Sequence, residues 1–133
     1  MTDDLRVAVG RDADIVTARQ LGRELAGKAG FAGSDLTLIA TAISEVARNI
    51  ISYANNGEIL LGLTSKDGRQ GLLVVAQDHG PGIADIEQAL LDGFSTGKSL
   101  GLGLPGARRL MDEFEIVSEL GRGTTVTMRK WCR

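Results

Sequence analysis

The sequence predicts an α+β fold, a two-layer sandwich with helices on one face of a mixed, mainly antiparallel sheet. Three observations predict it. Short strand-like runs come in pairs joined by glycine-bearing turns, two long segments with helical spacing separate the first strand from those pairs, and strict βαβ alternation is absent. The 133 residues, 43% hydrophobic and 24% charged, fit one domain over 1–133 with a single core and no linker.

Taken in order, residues 5–9 form a short strand, and 12–29 carry Ile15, Ala18, Gly22, Leu25 and Ala29 at helical spacing before a stop at Gly30. Ser34 is a good N-cap for the next helix, 35–54, where Leu36, Ile39, Ile43, Val46, Ile50 and Tyr53 fall on one face. Ile59, Leu61 and Leu63 alternate through a strand over 58–64. Asp67-Gly68 then turns the chain into a second strand, 72–76, whose unbroken apolar run suits a central position. A short helix is expected over 83–91, and 92–103 is too glycine-rich for helix or strand, so a loop is expected there. Pro105 suits the first turn of a helix that carries Leu104, Ala107, Met111 and Phe114 on one face and ends near Asp112. Strands over 115–120 and 124–130 close the chain through Gly121-Arg122-Gly123, with Val126 and Met128 opposite in facing to Thr125 and Thr127.

The bulk charge narrows the partners. A net charge of -2 with dispersed basic residues offers no electrostatic footprint for nucleic acid or an anionic membrane, so any phosphate-bearing ligand is held locally. The first residues lack the basic and apolar regions of a signal peptide, and no apolar run reaches the roughly 18 residues of a membrane span, which reads as cytoplasmic. The one cysteine, Cys132, excludes an internal disulfide and a cysteine-based metal cluster. Eighteen glycines are nearly twice the usual share of about 7%, and many of them cluster between Gly80 and Gly106, as expected of backbone shaped for a ligand.

Three segments carry chemistry. Glu45 and Asn49 lie about 40° apart on one helix edge, flanking the apolar stripe, so both side chains reach one ligand. A carboxylate beside an amide oxygen suits a hard cation such as Mg²⁺, or a general base next to a metal held by the amide; alone, the pair also reads as solvated surface, as does Arg48. In Asp78-His79-Gly80-Pro81-Gly82, an acid at the end of a buried strand can accept from an exocyclic amine, and the glycines let a flat ring approach the backbone; alone, it is also a passable capped turn. His79 is the only histidine, and its place in a turn favours exposure. Third, the stretch from Ser95 to Pro105 delivers flexible N–H groups and then a helix N-terminus, a combination that favours phosphates. Its Gly97-Lys98-Ser99 triplet is not a P-loop, because Asp92 stands where that motif needs glycine and no helix opens directly after it. Gly101, Gly103 and Gly106 echo a dinucleotide fingerprint without the strand it requires.

Taken together, Glu45-x-x-x-Asn49, Asp78-x-Gly80-x-Gly82, Gly101-x-Gly103 and Gly123-Thr124-Thr125 resemble, in order and spacing, the four boxes of the GHKL ATPase superfamily, which includes gyrase, histidine kinases and MutL. The run from Asp92 to Phe114, with Ser-Glu-Val-Ala-Arg-Asn ending at Asn49, looks like the RsbT group of bacterial serine kinases, which is related to RsbW and SpoIIAB. The resemblance implies a Bergerat-type ATP-binding sandwich with ATP and Mg²⁺ as cofactors. It implies that Asn49 holds Mg²⁺, that Glu45 acts as catalytic base or orienting carboxylate, and that Asp78 binds the adenine amino group. Gly80 and Gly82 would shape the adenine pocket, Thr125 would support the adenine side, and Gly101, Leu102 and Gly103 would meet the phosphates. Lys98 departs from a uniformly glycine-rich lid: it pairs with a phosphate or faces solvent.

The implied reaction is transfer of the ATP γ-phosphoryl to a serine on a small STAS-domain antagonist (RsbS-like). The implied cellular role is a switch protein held by STAS scaffolds (RsbR-like) in a stressosome, and released to activate a PPM-type phosphatase (RsbU-like). The alternative is an RsbW-like anti-sigma factor that sequesters a sigma factor and phosphorylates an anti-anti-sigma protein. The early ending after Thr125 and the Leu104–Met111 segment favour the RsbT-like reading. A detached histidine-kinase domain or a small interaction domain without nucleotide fits less well.

Overall fold

The computed structural model describes residues 4–83 and 103–132. Among them the chain runs β1 (Leu5–Val9), α1 (Asp12–Ala29), α2 (Ser34–Ala54), β2 (Gly57–Lys66), β3 (Arg69–Asp78), α3 (Gly103–Leu110), β4 (Glu113–Glu119) and β5 (Gly123–Trp131). The five strands form one sheet in the order β1-β2-β3-β5-β4, and every described pairing is antiparallel. The fold is the expected α+β sandwich. The expected helix over 83–91 and the loop over 92–103 lie outside the described residues except at Ile83 and Gly103.

Strand parity builds the core. Val7, Val9, Ile59, Leu61, Leu72, Val74, Ala76, Val126 and Met128 are buried on one face, against Ala18, Leu25, Ile39, Ile43, Val46, Ile50 and Ala107 of the helices. On the other parity Leu60, Leu73, Val75, Thr125 and Thr127 are only half-buried. β3 sits in the middle of the sheet, as its apolar run predicts, and the Asp67-Gly68 turn before it has φ of 54° and 80°, the handedness a tight hairpin needs. The chain stops α1 at Gly30, whose φ of 106° is left-handed; the N–H groups of Gly30 and Phe31 close on the carbonyls of Gly27 and Ala26.

Four expectations need correction. Ser34 is the first residue of α2 and not its cap, because Gly33 takes the cap position with φ 61°. Tyr53 lies on the apolar arc of α2 but is 45% exposed, since it falls in the last turn, where the helix is only half covered. Phe114 belongs to β4 and not to the preceding helix: α3 ends at Leu110, and the Asp112 N–H already donates to Arg129 O at 2.9 Å, drawing the chain into the sheet. β3 runs Arg69–Asp78 rather than over 72–76, because its ladder with β2 continues to the Gly57–Asp78 pair; the acid does end the strand, as expected.

Candidate functional site

At the end of β3, strand parity turns Asp78 inward with Val74 and Ala76, and its side chain is 7% exposed. A carboxylate removed from water needs donors. Asp78 Oδ1 accepts the Gly80 N–H at 2.9 Å, an Asx turn, and the Thr124 N–H at 3.1 Å from the start of β5. Neither bond uses Oδ2. A carboxylate oxygen in that position can accept from an amine.

Two glycines make this floor possible by letting protein backbones meet. Gly123 has φ 121°, and a Cβ there would stand 2.1 Å from Asp78 O; Gly82 has φ 82°, and a Cβ would stand 2.4 Å from Glu119 O. At Gly80 a Cβ would press on Ala54 at the end of α2. The glycines of this box therefore hold the turn against β4, β5 and α2. Ser118 was missed by sequence reasoning. Its Oγ accepts the Ile83 N–H at 2.7 Å and lies 2.8 Å from Thr124 Oγ1 and 3.3 Å from the Gly123 carbonyl, joining the Asp78–Gly82 box to the last hairpin. The signal was present: Phe114, Ile116 and Ser118 alternate inward along β4.

Thr125 lies elsewhere. It pairs with Gln77 and Val117 on the parity of the open sheet face, whereas buried Thr124 shares the parity of Val126 and touches Asp78. His79 is exposed, as its turn position suggested.

The second group centres on α2. Glu45, read from sequence as a flank of the helix, is 3% exposed because α3 packs beside that flank. Its Oε1 accepts the N–H of Gly103, the first residue of α3, at 3.0 Å, where the positive end of a helix dipole favours a carboxylate. Its Oε2 lies 3.4 Å from Arg48 Nη1. Arg48, expected as solvated surface, is about a quarter exposed and paired. Asn49 is half-buried one helical turn beyond Glu45. Lys98, Gly101 and Leu102 lie outside the described residues.

The two groups stand along one helix. From Glu45 to Ala54, which meets Gly80, α2 rises about 14 Å. An elongated ligand with an amine at one end and anionic oxygens at the other fits this arrangement: the Oδ2 oxygen of Asp78, unbonded among the described residues, then an amide at Asn49 and a helix N-terminus at Gly103. Among the described residues no helix is long and apolar enough to cross a membrane, and no three His, Cys, Asp or Glu side chains gather as a metal cluster.

The family described as the histidine kinase-like ATPase domain matches residues 9–130. The serine/threonine-protein kinase RsbT of Bacillus subtilis is 49% identical over 133 residues, covering the whole of both chains. The anti-sigma F factor of a Geobacillus species is 36% identical over 73% of this chain and 70% of its own length. The mycobacterial sensor histidine kinase MprB shares the fold, with a TM-score of 0.57 over 100% of this chain and 99% of that one at 15% identity. The chain thus belongs to the histidine kinase-like ATPase domain family, as an ATP-using protein serine/threonine kinase of the RsbT type.

Proposed function

We propose that the whole chain acts as one kinase domain that transfers the γ-phosphoryl of ATP to a serine of a STAS-domain antagonist, and that it exchanges partners as it does so. The single observation that carries the reading is the buried carboxylate of Glu45, one turn from Asn49 and bonded to the first N–H of α3. Full-length identity of 49% to a serine/threonine kinase supports it.

In this reading Asp78 Oδ2 accepts the adenine amine, and Gly80, Gly82 and the Thr124 backbone keep that carboxylate in place. Asn49 would hold Mg²⁺ through its amide oxygen. The bound ion would neutralise charge on the transferring phosphoryl group. The Gly103 N–H and the α3 N-terminus receive phosphate oxygens. Glu45 takes or steers the proton of the substrate serine as its oxygen attacks, a role worth typically 10²- to 10⁴-fold in rate.

The STAS scaffold and a PPM-type phosphatase are the proposed exchange partners. Incubation with γ-labelled ATP and a STAS-domain protein tests the reading. A labelled serine that disappears in Glu45→Ala is the expected result, and full transfer by that variant removes Glu45 from the chemistry. A second reading, anti-sigma binding, is favoured by the anti-sigma F factor relatives. Stable capture of a sigma factor in the presence of ATP, with no phosphatase activation, would select it.

A further inference from the structure

We propose that Arg48 is a positioning residue for phosphotransfer: its guanidinium holds Glu45 in place when the other partner of that carboxylate is given over to ATP. The inference rests on Glu45 acting in the reaction, as proposed above.

Among the described residues the Glu45 carboxylate has two partners, which differ in kind. On Oε1 is the Gly103 N–H at 3.0 Å, which belongs to α3 and comes from 58 residues away. On Oε2 is Arg48 Nη1 at 3.4 Å, from the same helix three residues on. The Gly103 N–H is also a donor at the helix N-terminus where phosphate oxygens are favoured. One N–H has one hydrogen, so full engagement of a phosphate weakens its bond to Glu45. Arg48 carries no such conflict on its Oε2 contact. Fixed at i,i+3 on α2, it moves with Glu45 whatever α3 does.

Without a partner, a carboxylate this buried is costly as an anion and turns toward water. That turn removes a base from the path of the serine proton. A guanidinium suits the task because it stays charged and presents five N–H donors in a fixed plane, so one nitrogen can hold Oε2 while the stem lies along α2. Lysine at this position supplies the charge without the fork. Arg48 is thus assigned an effect on the chemical step and none on adenine recognition, since Asp78 and its partners lie at the far end of α2.

The experiment is steady-state phosphorylation of a STAS-domain protein by the full chain, comparing wild type, Arg48→Ala, Arg48→Lys and Glu45→Gln, with ATP affinity measured separately by calorimetry. For Arg48→Ala, kcat is expected to fall about 10- to 100-fold, part of the general-base contribution, while KM and Kd for ATP stay within about twofold. Arg48→Lys is expected to recover a substantial part of the rate. A kcat for Arg48→Ala within twofold of wild type overturns the inference, as does an ATP affinity that falls in step with the rate, or a lysine variant no better than alanine. Glu45→Gln separates the two levels. If it keeps full transfer, the reading of Glu45 fails and takes this inference with it; if it loses transfer while Arg48→Ala does not, only the inference about Arg48 fails.

Discussion

The backbone N–H of Thr124 donates to Asp78 Oδ1 at 3.1 Å, tying the start of β5 to the end of β3 across 46 residues. Asp78 can present Oδ2 to a ligand because Oδ1 is already occupied twice within the protein.

Asp78→Asn follows from that division of labour. The variant keeps an oxygen for the Gly80 and Thr124 donors and replaces the ligand-facing oxygen by an amide NH₂, which cannot accept from an adenine amine. ATP affinity is expected to fall about 10- to 100-fold, the range for a bond to a charged group, with thermal stability nearly unchanged. Calorimetric titration checks it, and an unaltered Kd would take the adenine site away from Asp78.

Thr124 and Thr125 are expected to separate cleanly. Thr124→Ala loses the hydroxyl contact with Ser118 and is expected to cost about 1 kcal/mol of stability. Thr125→Ala, on the open face, is expected to change both stability and ATP binding little. Urea unfolding and nucleotide titration of the two variants decide it; a larger loss of binding in Thr125→Ala would restore the sequence-based assignment.

The crossing of α1 over α2 depends on Gly22. A Cβ there would stand 2.2 Å from Ile43 Cδ1, and Ile43 is fully buried. Gly22→Ala is expected to destabilise by about 1–3 kcal/mol through overpacking, in spite of its better helix propensity. Ile43→Val removes the clashing methyl, so the double variant should be more stable than the sum of the singles by at least about 0.5 kcal/mol. Additivity in denaturant unfolding would show that the contact does not limit the crossing.

Asp14 stabilises the start of α1 in a pH-dependent way. Its Oδ2 accepts the N–H groups of Gly10 at 2.8 Å and Arg11 at 3.1 Å; the Gly10 bond is the main cause holding its carboxyl below the ordinary value. A depressed folded-state value means the contribution is complete above the ordinary carboxylate range and is lost as pH falls through the lowered one. The Tm gap between wild type and Asp14→Asn should therefore be widest near neutral pH and close in acid. A gap that widened on acidification would contradict the assignment.

Much of the fold was legible because local patterns and tertiary packing agree. The helical spacing from Ile15 to Ala29 and the stop at Gly30 predict α1 with its observed bounds, since a glycine with left-handed φ ends a helix whatever packs around it. The hairpin around Asp67-Gly68 was legible for the same reason. Strand ends were not. β3 gains Gln77 and Asp78 only because Gly57 and Glu58 pair with them, and pairing is a property of two distant segments. Thr124 and Ser118 could have been found by parity, as both share the inward face with Val126 and Ile116. Periodicity cannot tell which flank of a helix is covered, so Arg48 passed as surface.

By itself, the sequence determined the element types, the antiparallel hairpins and the spacing of Glu45, Asn49, Asp78, Gly80 and Gly82, because these follow from side-chain periodicity and backbone freedom along a local stretch. Only the tertiary structure decided that Glu45 is buried against α3 and paired with Arg48, and that Asp78 is held by Thr124 through Oδ1. The Glu45–Gly103 and Asp78–Thr124 bonds bring together segments 58 and 46 residues apart, which no local pattern encodes.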